Sequence, residues 1–179
     1  MRIERAKQYF AAAFMAGFIG GILFANLTVR DYVTTSGIFN PYFLKQYAQS
    51  EIEGGEYLLY LSGIRLVPLF LIVLLGQTRV RKLLSVAAFL WAGFSAGTVV
   101  CAGILNMGIQ GVVFWVIAMV PQFLFYVLAY LMVLWYFFIY PQSRWNLGKT
   151  VAVLVFMAAG LITEAYINPI LMQMFLNTL

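Results

Sequence analysis

The chain has 179 residues, of which 64% are hydrophobic and only 9% charged, whereas soluble domains carry about 25% charged residues. That places it in a membrane. Eleven Lys and Arg against six Asp and Glu give a net charge of +5, too few cations for a basic face, so nucleic acid is excluded as a partner and the excess is read as a topology signal. With no His and one Cys (Cys101), no disulfide framework, Cys/His zinc site or His-based triad can be assembled, and neither a metal nor a cofactor is expected.

A hydrocarbon core needs about 20 apolar residues as a helix, and five charge-poor runs approach or exceed that length: 9–27, 57–76, 83–105, 112–140 and 150–168. The first follows Arg2, Arg5 and Lys7 and is too long for the apolar region of a cleavable signal peptide, so it reads as an anchor. The fourth is too short for two crossings, which predicts one helix bent at Pro121. The expected fold is an all-α bundle of five transmembrane helices forming one integral domain over 1–179.

Eight cations sit in the N-terminal segment and in the turns 77–82 and 141–149, against Arg30 and Lys45 in the 28–56 loop, which also holds Asp31, Glu51, Glu53 and Glu56. Positive residues are retained on the cytoplasmic side, so the N-terminus is expected inside and the C-terminus outside the cell membrane. In the outer loop, Asn40-Pro41 marks a helix start and Gly54-Gly55 its end, giving a short interfacial helix or a solvated connector. Tyr9, Tyr57, Tyr60, Trp135, Tyr136, Tyr140 and Trp145 lie near span ends, as interfacial anchors do. Pro169 is expected to end the fifth span and leave an apolar tail in the outer interface.

Small residues recur at every fourth position in the first span (Ala13, Gly17, Gly21, Ala25) and the third (Gly93, Gly97, Cys101). Such rows let backbones approach closely in lipid, either within one subunit, in a homo-oligomer or against another protein. Two charges lie inside spans, Arg65 and Glu164; an isolated charge at that depth costs about 2.5–3.5 kcal/mol on the insertion scale, so the two are expected to pair. Counting from the outer ends puts them, with Gln122, Asn26 and Asn106, in the outer half, a polar cluster that serves either to fix helix register or to line a transport path.

The Gly-rich first span, the basic turn 77–82, the segment Val120-Pro121-Gln122-Phe123-Leu124-Phe125-Tyr126 and the closing Glu164-Ala165-Tyr166-Ile167-Asn168-Pro169 resemble the stage II sporulation protein M family. The likeness covers most of the chain and is most specific at Pro121-Gln122 and at the Glu-x-aromatic-x-x-Pro pattern. It departs at Arg65, where members commonly carry Asn. The resemblance implies a non-enzymatic polytopic scaffold that gathers peptidoglycan-degrading partners, stage II sporulation proteins D and P, for septal wall thinning and engulfment in sporulation. A membrane subunit of an ABC-type exporter or small-molecule transporter is the alternative.

Overall fold

The computed structural model describes residues 2–28, 44–47 and 53–178, with side chains from Lys7 onward in the first stretch. Among these residues the structure is helical throughout, with no strand: α1 (Arg2–Leu27), α2 (Gly54–Gly76), α3 (Arg81–Met107), α4 (Ile109–Ile139), α5 (Leu147–Ile162), a π-helical segment (Thr163–Ile167) and α6 (Asn168–Leu176). Five helical stretches are long and apolar enough to cross a membrane, the last running unbroken from Leu147 to Leu176.

Each helix outruns the apolar run that announced it, because the backbone ladder continues into charged flanks that lipid does not accept. The fourth span is a single helix through Pro121. At two places the structure departs from expectation. Gly54-Gly55 does not close a surface helix but opens α2, where Glu53 is the extended residue before the first turn. Of the expected interfacial helix only 44–47 lies within the described residues, and these four are helical; the rest of 28–52 beyond Thr28 lies outside them.

The second correction concerns Pro169. The helix passes through it into α6, so residues 170–176 are the end of the fifth long helix and not a separate surface tail. In a regular α-helix the proline ring would strike the carbonyl of Ala165. One wider turn precedes it, in which the Asn168 amide donates to the Thr163 carbonyl, five residues back, and this π-type insertion relieves the clash.

The chain divides into two compact units. The first comprises Met1–Gln8, Ile52–Ala87 and Pro121–Pro169. Its core is a contiguous set of apolar side chains from α2 (Leu61, Leu69), α4 (Tyr126, Ala129, Val133, Phe137), α5 (Val153, Met157, Leu161) and the π segment (Ala165). The α4 members fall at helical spacing on one face. Glycines admit aromatic rings at three points of this unit: a Cβ on Gly54 would lie 2.6 Å from the Tyr166 ring, on Gly76 2.2 Å from Phe137 and on Gly160 2.6 Å from Tyr126. The buried Ser85 hydroxyl lies 3.1 Å from the Leu134 carbonyl, joining the start of α3 to α4. Asn146 caps α5, its side chain accepting from the Lys149 amide at 3.0 Å.

The second unit comprises Tyr9–Glu51, Ala88–Val120 and Ile170–Leu179. Here backbones meet directly. A Cβ on Gly17 would sit 2.0 Å from the Leu90 carbonyl oxygen, on Gly21 2.1 Å from that of Phe94, on Gly93 2.1 Å from that of Phe14 and on Gly97 2.1 Å from that of Phe18. The two glycine rows therefore interlock α1 with α3 inside one chain. Phe10 stacks on Phe89 at 4.3 Å beside the crossing. At the α3–α4 turn Gly108 takes φ +59°, a conformation glycine adopts without cost, and Gly103 meets Gly111 so closely that a Cβ on Gly111 would stand 2.0 Å from the Gly103 carbonyl.

Alanine at Gly17, Gly21, Gly93 or Gly97 forces the helices apart and is expected to lower stability by about 1–3 kcal/mol each, the usual range for overpacking. Alanine at Gly63, where nothing lies within 4 Å, is expected to be neutral or slightly stabilising through helix propensity. Thermal unfolding of the five variants in detergent checks the contrast.

Candidate functional site, a buried ion pair between two proline-interrupted helices

Arg65 and Glu164 meet. The Arg65 Nε donates to Glu164 Oε2 at 3.0 Å and its Nη2 donates to Oε1, a two-pronged contact that matches the planar guanidinium to the carboxylate. Both residues stand near the middle of their helices, Arg65 twelfth of 23 in α2 and Glu164 eighteenth of 30 in the Leu147–Leu176 stretch. Their depth is thus central and not confined to one half, the helices having begun earlier and ended later than the apolar runs suggested.

The π turn positions the carboxylate. Inserting one residue rotates the downstream part of the helix by roughly a third of a turn, and Thr163, Glu164 and Ala165 all fall on the buried side. Two residues that sequence reasoning did not single out as site residues complete the arrangement. The Tyr126 hydroxyl donates to Glu164 Oε2 at 2.7 Å, its ring lying against Gly160, one turn before Glu164. One turn further along α4, the Tyr130 hydroxyl donates to the Arg65 backbone carbonyl at 3.1 Å. That carbonyl lies three residues before Pro68, inside α2, where the proline removes an amide from the helical ladder. The guanidinium carbon is 5.3 Å from the Tyr126 ring centroid, within cation–π range.

The exposures of the pair are unequal: the Glu164 side chain is 7% exposed and the Arg65 side chain 39%. The carboxylate is enclosed, while one side of the guanidinium faces outward from its unit. Gln122 is buried on the α4 face that carries Tyr126, one turn ahead of it and next to Pro121. Asn26 and Asn106 belong to the second unit, where each bonds locally: the Asn26 amide nitrogen donates to the Ile22 carbonyl at 3.0 Å and approaches Cys101 Sγ at 3.0 Å, and that of Asn106 donates to the Ala102 carbonyl at 2.8 Å. Cys101 is buried. The structure thus joins Arg65 with Glu164 and adds Tyr126 and Tyr130. Spacing carried the missing signal: 122, 126 and 130 recur at four-residue intervals on one helix, a polar stripe in an otherwise apolar span.

Among the described residues no group of three or more His, Cys, Asp or Glu is placed to hold a metal ion. Chemically, the site as it stands is a neutral, mutually satisfied cluster: the carboxylate accepts three hydrogen bonds, and its one counter-charge is held by two of them. Family models, curated proteins and solved structures yield no match to this chain.

Replacing Glu164 by Gln leaves the guanidinium without its counter-charge and is expected to cost about 3 kcal/mol, the low end for breaking a buried pair because Arg65 is part exposed. Tyr126→Phe removes one hydrogen bond to a charged acceptor and is expected to cost about 1.5–3 kcal/mol, with Tyr130→Phe, whose acceptor is a neutral carbonyl, nearer 1 kcal/mol. Unfolding midpoints of the three variants check the order Glu164→Gln, Tyr126→Phe, Tyr130→Phe.

Proposed function

We propose that the chain is a non-enzymatic scaffold of the cell membrane that holds peptidoglycan-degrading partners in place, as the resemblance to the stage II sporulation protein M family implies, with its N-terminus cytoplasmic and its C-terminus outside. The observation that carries this reading is the bond between Tyr126 and Glu164. The two segments on which the resemblance rests, Pro121 to Tyr126 and Glu164 to Pro169, meet in that one contact. The pattern therefore has a physical meaning, since it sets the register of two membrane helices. A carboxylate enclosed by a guanidinium and a phenol has no open coordination position and no substrate beside it, which suits a part that fixes shape. In this reading the hydrolytic chemistry belongs to the partners, and the chain supplies their address.

A specific feature favours a second reading, that of a transporter or exporter subunit. Arg65, Gln122 and Glu164 each lie within five residues of a proline inside a helix, Pro68, Pro121 and Pro169, and interrupted helices beside polar residues are how many transporters build midplane sites. Against it, the connections 77–80 and 140–146 offer a soluble ATPase little to grip.

Purification of the tagged chain from its own host in mild detergent, after starvation, separates the two. The scaffold reading expects membrane-anchored peptidoglycan hydrolases to co-purify. Recovery of a nucleotide-binding ATPase in their place contradicts it.

A further inference from the structure

The first unit ends in a cationic surface that the ion pair does not use. The connections between α2 and α3 and between α4 and α5, with the first turns beyond them, carry Arg79, Arg81, Lys82, Arg144 and Lys149 and no acidic residue. The structure brings them together: the Arg81 guanidinium carbon lies 3.7 Å from the centroid of the Tyr140 ring, bridging the two connections. Lys149 Nζ is held by the Ser143 hydroxyl at 3.0 Å and the Arg144 carbonyl at 2.6 Å. Arg79, Lys82 and Arg144 are exposed, and no carboxylate among the described residues pairs with them. The unit's other described acids outside the ion pair, Glu53 and Glu56, lie at the opposite end of α2, about 30 Å away along its axis.

From this placement we infer that the surface is a binding site for the phosphate headgroups of anionic phospholipids. Charge complementarity selects an anion, and depth selects a lipid. Both connections are a few residues long and join helices of membrane-spanning length, so the cations cannot project far from the helix ends. Beside them Tyr136 packs edge-on against Trp145 at 5.0 Å and Tyr140 at 6.1 Å, the amphipathic aromatic cluster that settles at headgroup level. Three unpaired cations at that level hold anionic lipid in preference to zwitterionic lipid, each adding to the attraction, while Arg81 and Lys149, fixed by Tyr140 and Ser143, shape the floor of the site.

The test uses the full-length chain purified in detergent, equilibrated with an equimolar mixture of phosphatidylglycerol and phosphatidylcholine, with retained lipid counted by native mass spectrometry. The wild type is expected to retain phosphatidylglycerol about tenfold over phosphatidylcholine, with the preference shrinking as salt rises. Arg79→Gln/Lys82→Gln/Arg144→Gln, which removes only side chains without partners, is expected to bring the ratio close to one. Lys82→Arg, which keeps the charge, and Lys45→Gln, outside the surface, are expected to leave it unchanged. Equal retention of the two lipids by the wild type overturns the inference, as does an undiminished preference in the triple variant at an unchanged unfolding midpoint. Displacement of bound lipid by millimolar inorganic phosphate also overturns it, since the site would then select a soluble anion.

Discussion

A hydrocarbon interior offers no water to a charged side chain, and this one constraint organises the first unit. Arg65 stands at the centre of α2 and Glu164 near the centre of the last long helix, depths at which neither can be left alone. Their pairing requires the last helix to present residue 164 inward, and the π turn at Thr163–Ile167 does so. The same turn admits Pro169. Gly160 then has to be small because the Tyr126 ring occupies its place, and Tyr126 has to be there because its hydroxyl serves the carboxylate. Remove the pair, and the wide turn, the glycine and the phenol lose their common purpose. An ion pair of this kind is weak evidence for net stability, since desolvation offsets most of the attraction. Its better-attested use is to select one register of packing over others.

The second unit solves the same solvent problem with different means. Lipid tails are as apolar as the side chains they compete with, so helix association there rests on close van der Waals contact. Interlocked glycines bring α1 and α3 backbone to backbone, and the Thr98 hydroxyl, bonded to the Phe94 carbonyl at 2.9 Å, lies 3.4 Å from the Gly21 carbonyl at the crossing. Polar groups in this unit satisfy neighbours on their own helix first. One chain thus combines a polar lock and an apolar zipper, each suited to residues it carries.

Much of this architecture is legible in the residues for definite reasons. Length and apolarity alone reveal five spans, because lipid enforces both. Pairing of Arg65 with Glu164 comes from the cost of leaving either unpaired, and the glycine rows from four-residue spacing. The hidden features depend on backbone departures that no residue type announces. Pro169 reads as a helix end in water, yet a single π turn carries the helix past it. Gly54-Gly55 reads as a stop, yet Gly54 is small to seat the Tyr166 ring. Tyr126 and Tyr130 pass as ordinary aromatics of an apolar span, since only the fold reveals that their hydroxyls point at Glu164 and at the turn before Pro68. Asn26 and Asn106 look like members of the polar cluster, but an amide has its own helix carbonyl within reach four residues back, and both take it.

Arg65 and Glu164 act as one unit, and every other feature of the polar lock depends on that. The most direct measurement is a charge-exchange cycle, comparing unfolding midpoints and cellular accumulation of Arg65→Glu, Glu164→Arg and the double exchange. Direct pairing predicts that each single change is strongly destabilising and that the double exchange recovers a substantial part, a coupling of about 2 kcal/mol or more. Additive losses, with the double exchange no better than the worse single, would contradict it.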